Sequence, residues 1–210
     1  MANLLKTLLV ALAFAGVALL TPTAARAGTV TFGTTGTITC DSCSGSATNA
    51  VTFGSGGNTL KLTFNGIATG TSVDASPSTF ASFGSITTTV TGAGATINPG
   101  TSLTLTINQT VPSVGTGNLS GTLTGTIQQD ASSGVITFTV TSVSIGGIRY
   151  DIINNPLALV PPATNGGVTT IQGQITSSVP EPSSLLLMGT GLIGAVGAVR
   201  RRWQIRRSQA

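Results

Sequence analysis

The sequence predicts an all-β protein: an antiparallel, jelly-roll-like β-sandwich, with an N-terminal signal peptide and a single C-terminal transmembrane helix. Three observations predict it. Apolar residues alternate with Thr or Ser through the middle of the chain, which is the period of a strand with one wet face. Turn-forming clusters recur roughly every ten residues, among them "GSGGN", "DASPS", "VPSVGTGN", "QQDASSG" and "PPATNGG". Long, almost purely apolar runs stand only at the two ends of the chain, at residues 8–20 and 185–199.

Residues 1–27 read as a signal peptide. Lys6 supplies a positive start, residues 8–20 are apolar, and Ala25-Arg26-Ala27 has the small-x-small form of a cleavage site, so the mature chain would begin at Gly28. The partners implied are the Sec machinery and signal peptidase. A retained membrane helix is the rival reading, but the run is short and Thr21-Pro22-Thr23 follows it at once.

Residues 28–178 form the predicted body. Thr and Val are β-branched and suit a pleated surface. One face of "TLKLTFN" carries Leu60, Leu62 and Phe64, and one face of "TSLTLTIN" carries Leu103, Leu105 and Ile107. In "NLSGTLTGTIQ" the inward set is Leu119, Leu123 and Ile127. In "GVITFTVTSVSI" the set Ile136, Phe138, Val140 changes phase to Val143 and Ile145, which predicts a bulge near Thr141 and Ser142. Ile171, Gly173 and Ile175 mark a last strand. Eight to ten strands at this spacing predict a sandwich; the Gly and Ser content keeps a disordered, low-complexity body as the alternative.

The body's charge excludes some functions. Its cations are Lys61 and Arg149, against Asp41, Asp74, Asp130 and Asp151. It has no basic face to neutralise phosphates, so nucleic acid is not an expected partner. The chain has no His, which removes Ser-His and Cys-His catalysis and ordinary zinc sites. No cofactor, metal or catalytic residue is expected. A hydrolase would need two of the four aspartates to meet. Cys40 and Cys43, in an exported chain, read either as a disulfide pinning a loop or as a redox pair. No helical period surrounds them, so the disulfide is the expectation.

The tail begins with Pro180-Glu181-Pro182, which can neither continue a sheet nor sit inside a helix. Residues 185–199 carry no charge, and a transmembrane helix is expected at about 183–200, some 26 Å from residue 183 to 199 at about 1.5 Å per residue. Arg200, Arg201 and Arg202 then stop transfer, which leaves 201–210 as a cytoplasmic basic tail and places Trp203 at the interface. "GTGLIG", residues 189–194, matches a dinucleotide fingerprint but lies inside this run. Its Gly191/Ala195 and Gly194/Ala198 pairs instead suit close approach of membrane helices.

"VPEPS", a short Leu- and Gly-rich span and an arginine cluster at the extreme C-terminus resemble the PEP-CTERM protein-sorting signal over residues 179–203. The resemblance implies a Gram-negative bacterium that makes exopolysaccharide. It also implies recognition by an exosortase, a membrane-embedded cysteine protease-transpeptidase cutting near Pro180-Glu181-Pro182. The extra "WQIRRSQA" departs from the usual abrupt end. A permanent single-span anchor shares the apolar run and arginines without accounting for the Pro-Glu-Pro. The resemblance is silent on the body. The expected function is a non-catalytic cell-surface or matrix protein associated with exopolysaccharide, with a carbohydrate-binding module or an aspartate hydrolase as alternatives.

Overall fold

The computed structural model of the protein describes residues 28–177, together with Gly189, Thr190, Gly191 and Gly194, which are helical. Ala27–Ser178 is a compact unit by itself. Among the described residues there are fourteen strands: β1 (Thr29–Thr39), β2 (Ala50–Ser55), β3 (Asn58–Asn65), β4 (Thr71–Asp74), β5 (Ser78–Thr91), β6 (Ala95–Thr96), β7 (Ser102–Val111), β8 (Gly115–Thr124), β9 (Thr126–Ile127), β10 (Val135–Val140), β11 (Ser142–Ile145), β12 (Ile148–Ile152), β13 (Leu157–Ala158) and β14 (Val168–Ser177). A single 3₁₀ turn, Asn165–Gly167, leads into β14. The all-β expectation therefore holds for the body. Its strands outnumber the eight to ten anticipated because five of them are short pieces, β6, β9 and β13 of two residues and β4 and β11 of four.

The strands form two six-stranded sheets, ordered β13-β10-β8-β7-β1-β4 and β11-β12-β14-β5-β3-β2, and β6 pairs with β9. Every pairing is antiparallel. The chain crosses repeatedly between the sheets, and one hydrophobic cluster takes residues from both. Leu103, Leu105 and Ile107 of β7 and Leu60 and Leu62 of β3 are all fully buried within it. Burying a side chain of this size is worth about 1.5–3 kcal/mol.

Aromatic rings join the layers. Phe32 of β1 meets Tyr150 of β12 edge-on at 5.8 Å and Phe83 of β5 at 6.2 Å. The Tyr150 hydroxyl donates to Gln109 Oε1 of β7 at 2.7 Å, and both residues are buried. Gln109 Nε2 then donates to the Ser113 carbonyl at 2.9 Å. The Thr34 hydroxyl of β1 donates to the Phe83 carbonyl at 2.9 Å, a second buried polar tie between sheets. Glycine makes room for these rings. A Cβ on Gly36 would stand 2.5 Å from the Phe64 ring, and one on Gly173 would overlap the Phe83 ring.

Two expectations about "GVITFTVTSVSI" need correction. Val140 is not a core residue but 43% exposed. The irregularity lies between Phe138 and Val140, earlier than Thr141 and Ser142. Beyond it the chain changes sheets, since β10 belongs to one and β11 to the other. The phase change in the sequence marks that crossing, because a strand entering the opposite sheet must present its other side to the same core.

Two predictions follow from the core. Gly173→Ala should lower the urea midpoint of the purified protein by the equivalent of about 1–3 kcal/mol, the usual cost of forcing atoms into a filled core; an unchanged midpoint would show that Phe83 can move aside. The second concerns pH. Burial pushes the Tyr150 hydroxyl well above its ordinary value, so the folded state favours the neutral form. That contribution is complete below the unfolded tyrosine pKa of about 10 and is lost as pH rises past it. Stability should therefore fall on the alkaline side, with tyrosinate absorbance, from the chain's single Tyr, appearing together with unfolding. Tyr150→Phe should flatten this limb; a limb that persists unchanged would place the titration elsewhere.

Candidate functional site

The described residues supply little for catalysis. Arg149 Nε donates to both carboxylate oxygens of Asp151 at 2.9 Å on the outer face of β12. Asp74 Oδ1 accepts from the Ser76 amide at 3.2 Å, capping the turn after β4. Asp41 and Asp130 lie in exposed loops. Among the described residues no group of three or more His, Cys, Asp or Glu is placed to hold a metal. Lys61 is exposed on β3, as its strand phase predicts.

Cys40 and Cys43 are joined by a disulfide, with their Cα atoms 5.9 Å apart. The loop is tied further by the Ser46 hydroxyl, which donates to the Cys40 carbonyl at 2.8 Å and accepts from its amide at 3.0 Å. Asn98 Nδ2 donates to the Ser42 carbonyl. Cys40 is buried at the edge of the core, so the bridge staples a loop to packed structure.

Strand register fixes which features share an end of the body. Thr29 pairs with Asp74, and Thr31 pairs with Val111 at the tip of the β7–β8 hairpin. Ser177 pairs with Ile148, and its amide donates to the Pro77 carbonyl at 3.0 Å. A Cβ on Gly115 would stand 2.6 Å from Ile145 Cγ2, so the β7–β8 tip adjoins the β11–β12 tip. The chain therefore enters at Thr29 and leaves at Ser177 on the same end. Thr39 pairs with Ser102 at the opposite end, where the disulfide loop and the β2–β3 turn lie.

The expected tail lies outside the described residues: Pro180, Glu181, Pro182, Arg200, Arg201 and Arg202, and most of the helix at 183–200. So do Ala25 and Ala27 of the expected cleavage site; Gly28 is the first described residue of the body. Among the described residues no helix is long and apolar enough to cross a membrane. The sequence reading missed one set of residues, the exposed apolar side chains Phe80, Val111 and Val114. "VPSVGTGN" had been read as a turn, and a valine at a turn tip has nowhere to bury, so that signal was present for Val111 and Val114.

Residues 178–202 match the family model described as the PEP-CTERM protein-sorting motif. No curated protein and no solved structure matches the chain. The C-terminus thus carries a signal for export and membrane-associated sorting by an exosortase.

Replacing Cys40 and Cys43 together by Ser should cost roughly 2 kcal/mol or less, because so short a loop gives up little chain entropy. A urea melt that keeps its cooperativity at a lower midpoint is the expected result. Loss of the folded state altogether would show that the bridge holds more than its loop.

Proposed function

We propose that this chain is a non-catalytic protein of the cell surface or extracellular matrix, sorted by an exosortase in a Gram-negative bacterium. The observation that carries the reading is the sorting motif at residues 178–202. The Sec machinery exports the chain, and signal peptidase removes residues 1–27. A helix at about 183–200 then holds it in the inner membrane, with Arg200, Arg201 and Arg202 on the cytoplasmic side. Pro180 and Pro182 keep the intervening peptide extended, the geometry a protease cleft takes.

We read the body as a jelly-roll-like β-sandwich that contacts hydrated exopolysaccharide. β1, β7, β8 and β10 carry no charged side chain. Their register sets hydroxyls in rows, such as Thr39, Ser102, Thr122 and Thr137 across four strands. Such a face exchanges hydrogen bonds with a neutral hydrated polymer without desolvating a charge. Tyr150 is buried and Phe80 is the exposed aromatic among the described residues, which gives little for sugar stacking and ranks the carbohydrate-binding module second. The pairing of Asp151 with Arg149 similarly disfavours an aspartate hydrolase.

Replacing Pro180, Glu181 and Pro182 by Ala should leave full-length protein in the inner membrane, whereas the native chain loses everything from about Leu185 onward. Mass spectrometry of membrane and surface fractions reads the outcome. A variant that still reaches the surface trimmed, or a native surface form that keeps its arginine tail, leaves a plain anchor as the explanation.

A further inference from the structure

The end of the body where the chain enters and leaves also carries exposed apolar side chains. Val114 is 86% exposed and Val111 is 43% exposed on the β7–β8 tip. Val111 pairs with Thr31, two residues from the start of β1, and the hairpin tip adjoins the β11–β12 tip that pairs with Ser177. Phe80, 70% exposed, pairs with Gln174 on the flank of the same end, three residues before Ser177. The nearby charges are few and largely cancelled, since Arg149 pairs with Asp151 and Asp74 caps its own turn.

The length of chain beyond Ser177 limits what this end can meet. Residues 178–184 reach no more than about 25 Å even when fully extended, and the apolar run begins at Leu185. While that run is in the bilayer, the end bearing Val111 and Val114 is the one closest to the lipid. Before signal-peptide removal the N-terminus holds the same end there as well, because Thr29 and Ser177 lie on one end.

We infer that this end of the body rests on the outer surface of the membrane during the anchored stage, with Val111 and Val114 entering the headgroup region and Phe80 at its margin. Lipid is the occupant. Binding to a membrane interface scales with the apolar area buried in it, and the exposed apolar side chains of this end supply such area. The opposite end, with the disulfide loop and Asp130, faces away. Contact of this kind is lost once the tail is cut.

The inference rests on the sorting reading, and the test separates the two. The full chain is reconstituted in phosphatidylcholine vesicles as Trp203→Phe, which removes its single Trp, with a new reporter introduced as Val114→Trp or, at the far end, Asp130→Trp. Flotation reads the anchor; emission maximum and quenching by brominated phosphatidylcholine read the contact. Chains that float, with a blue-shifted and quenched reporter at position 114 and a water-like, unquenched one at position 130, are expected. Adding Val111→Ser should weaken the quenching at position 114, which shows that the native valine contributes. Chains that float with both reporters unquenched overturn the contact and leave the sorting reading intact. Chains that fail to float overturn both.

Discussion

The body depends on one constraint, the fit of large rings between two sheets whose strands are built mainly from small residues. Phe32, Phe83 and Tyr150 meet edge to face across the layers, and the Tyr150 hydroxyl reaches Gln109 in the opposite sheet. Edge-to-face rings gain beyond their buried area, and the hydrogen bond removes the penalty of burying a phenol and an amide. Space for the rings comes from missing side chains. Phe64 lies over Gly36 of the facing sheet, Phe83 lies beside Gly173, and Val143 packs at Gly117. Five of the glycines on these strands are therefore not flexibility but volume: Gly36, Gly115, Gly117, Gly121 and Gly173 each face an atom that a Cβ would crowd.

That constraint explains which strands could be read from the sequence. β3, β7 and β14 alternate Leu, Ile or Phe with polar residues, and their inward sets Leu60, Leu62 and Phe64, Leu103, Leu105 and Ile107, and Ile171, Gly173 and Ile175 follow from that period. β1 and β5 are less plain. β1 keeps a period of two through Val30, Phe32, Thr34, Gly36 and Ile38, but two of those inward positions are Thr and Gly and carry no apolar signal, and β5 shifts phase where Phe83 and Gly84 are both buried. Thr34 and Thr88 are buried because their hydroxyls bond to backbone carbonyls of other elements, a tertiary fact that no local window contains. Sheet partners were equally out of reach, since β1 with β7 and β14 with β5 join segments far apart in sequence. The sorting motif was legible because its elements are contiguous and need no partner strand.

The fold also gives the chain a direction. Thr29 at the start of β1 and Ser177 at the end of β14 lie on one end of the body, which leaves the sheet faces and the opposite end clear of both. Lys61, Arg149 and Asp151 belong to one sheet, while the other has Asp74 at the end of its edge strand β4 and no charged side chain on β1, β7, β8 or β10. The two faces are thus chemically different surfaces. Under the proposed function the uncharged sheet is the one that meets hydrated polymer, because its hydroxyls exchange hydrogen bonds without desolvating a charge.

An exported protein concentrated at a surface must also avoid pairing edge to edge with its neighbours. Sheets commonly guard against this with lysines or inward charges on their edge strands. Here charge is scarce, and Lys61 lies on β3, one strand in from the edge. Length serves instead. The four edge strands β13, β4, β11 and β2 have two, four, four and six residues, whereas inside the sheets β1, β5, β7, β8 and β14 have ten to fourteen and β3, β10 and β12 have eight, six and five. A two- or four-residue edge offers too few unpaired amides and carbonyls to nucleate a ladder with another copy. The longest edge, β2, ends at Gly54 and the glycine turn that follows, where positive φ angles turn the backbone away from strand geometry. Where charge is this scarce, short edges limit pairing between copies, so strand length does at the sheet edge what lysines and inward charges do in other proteins.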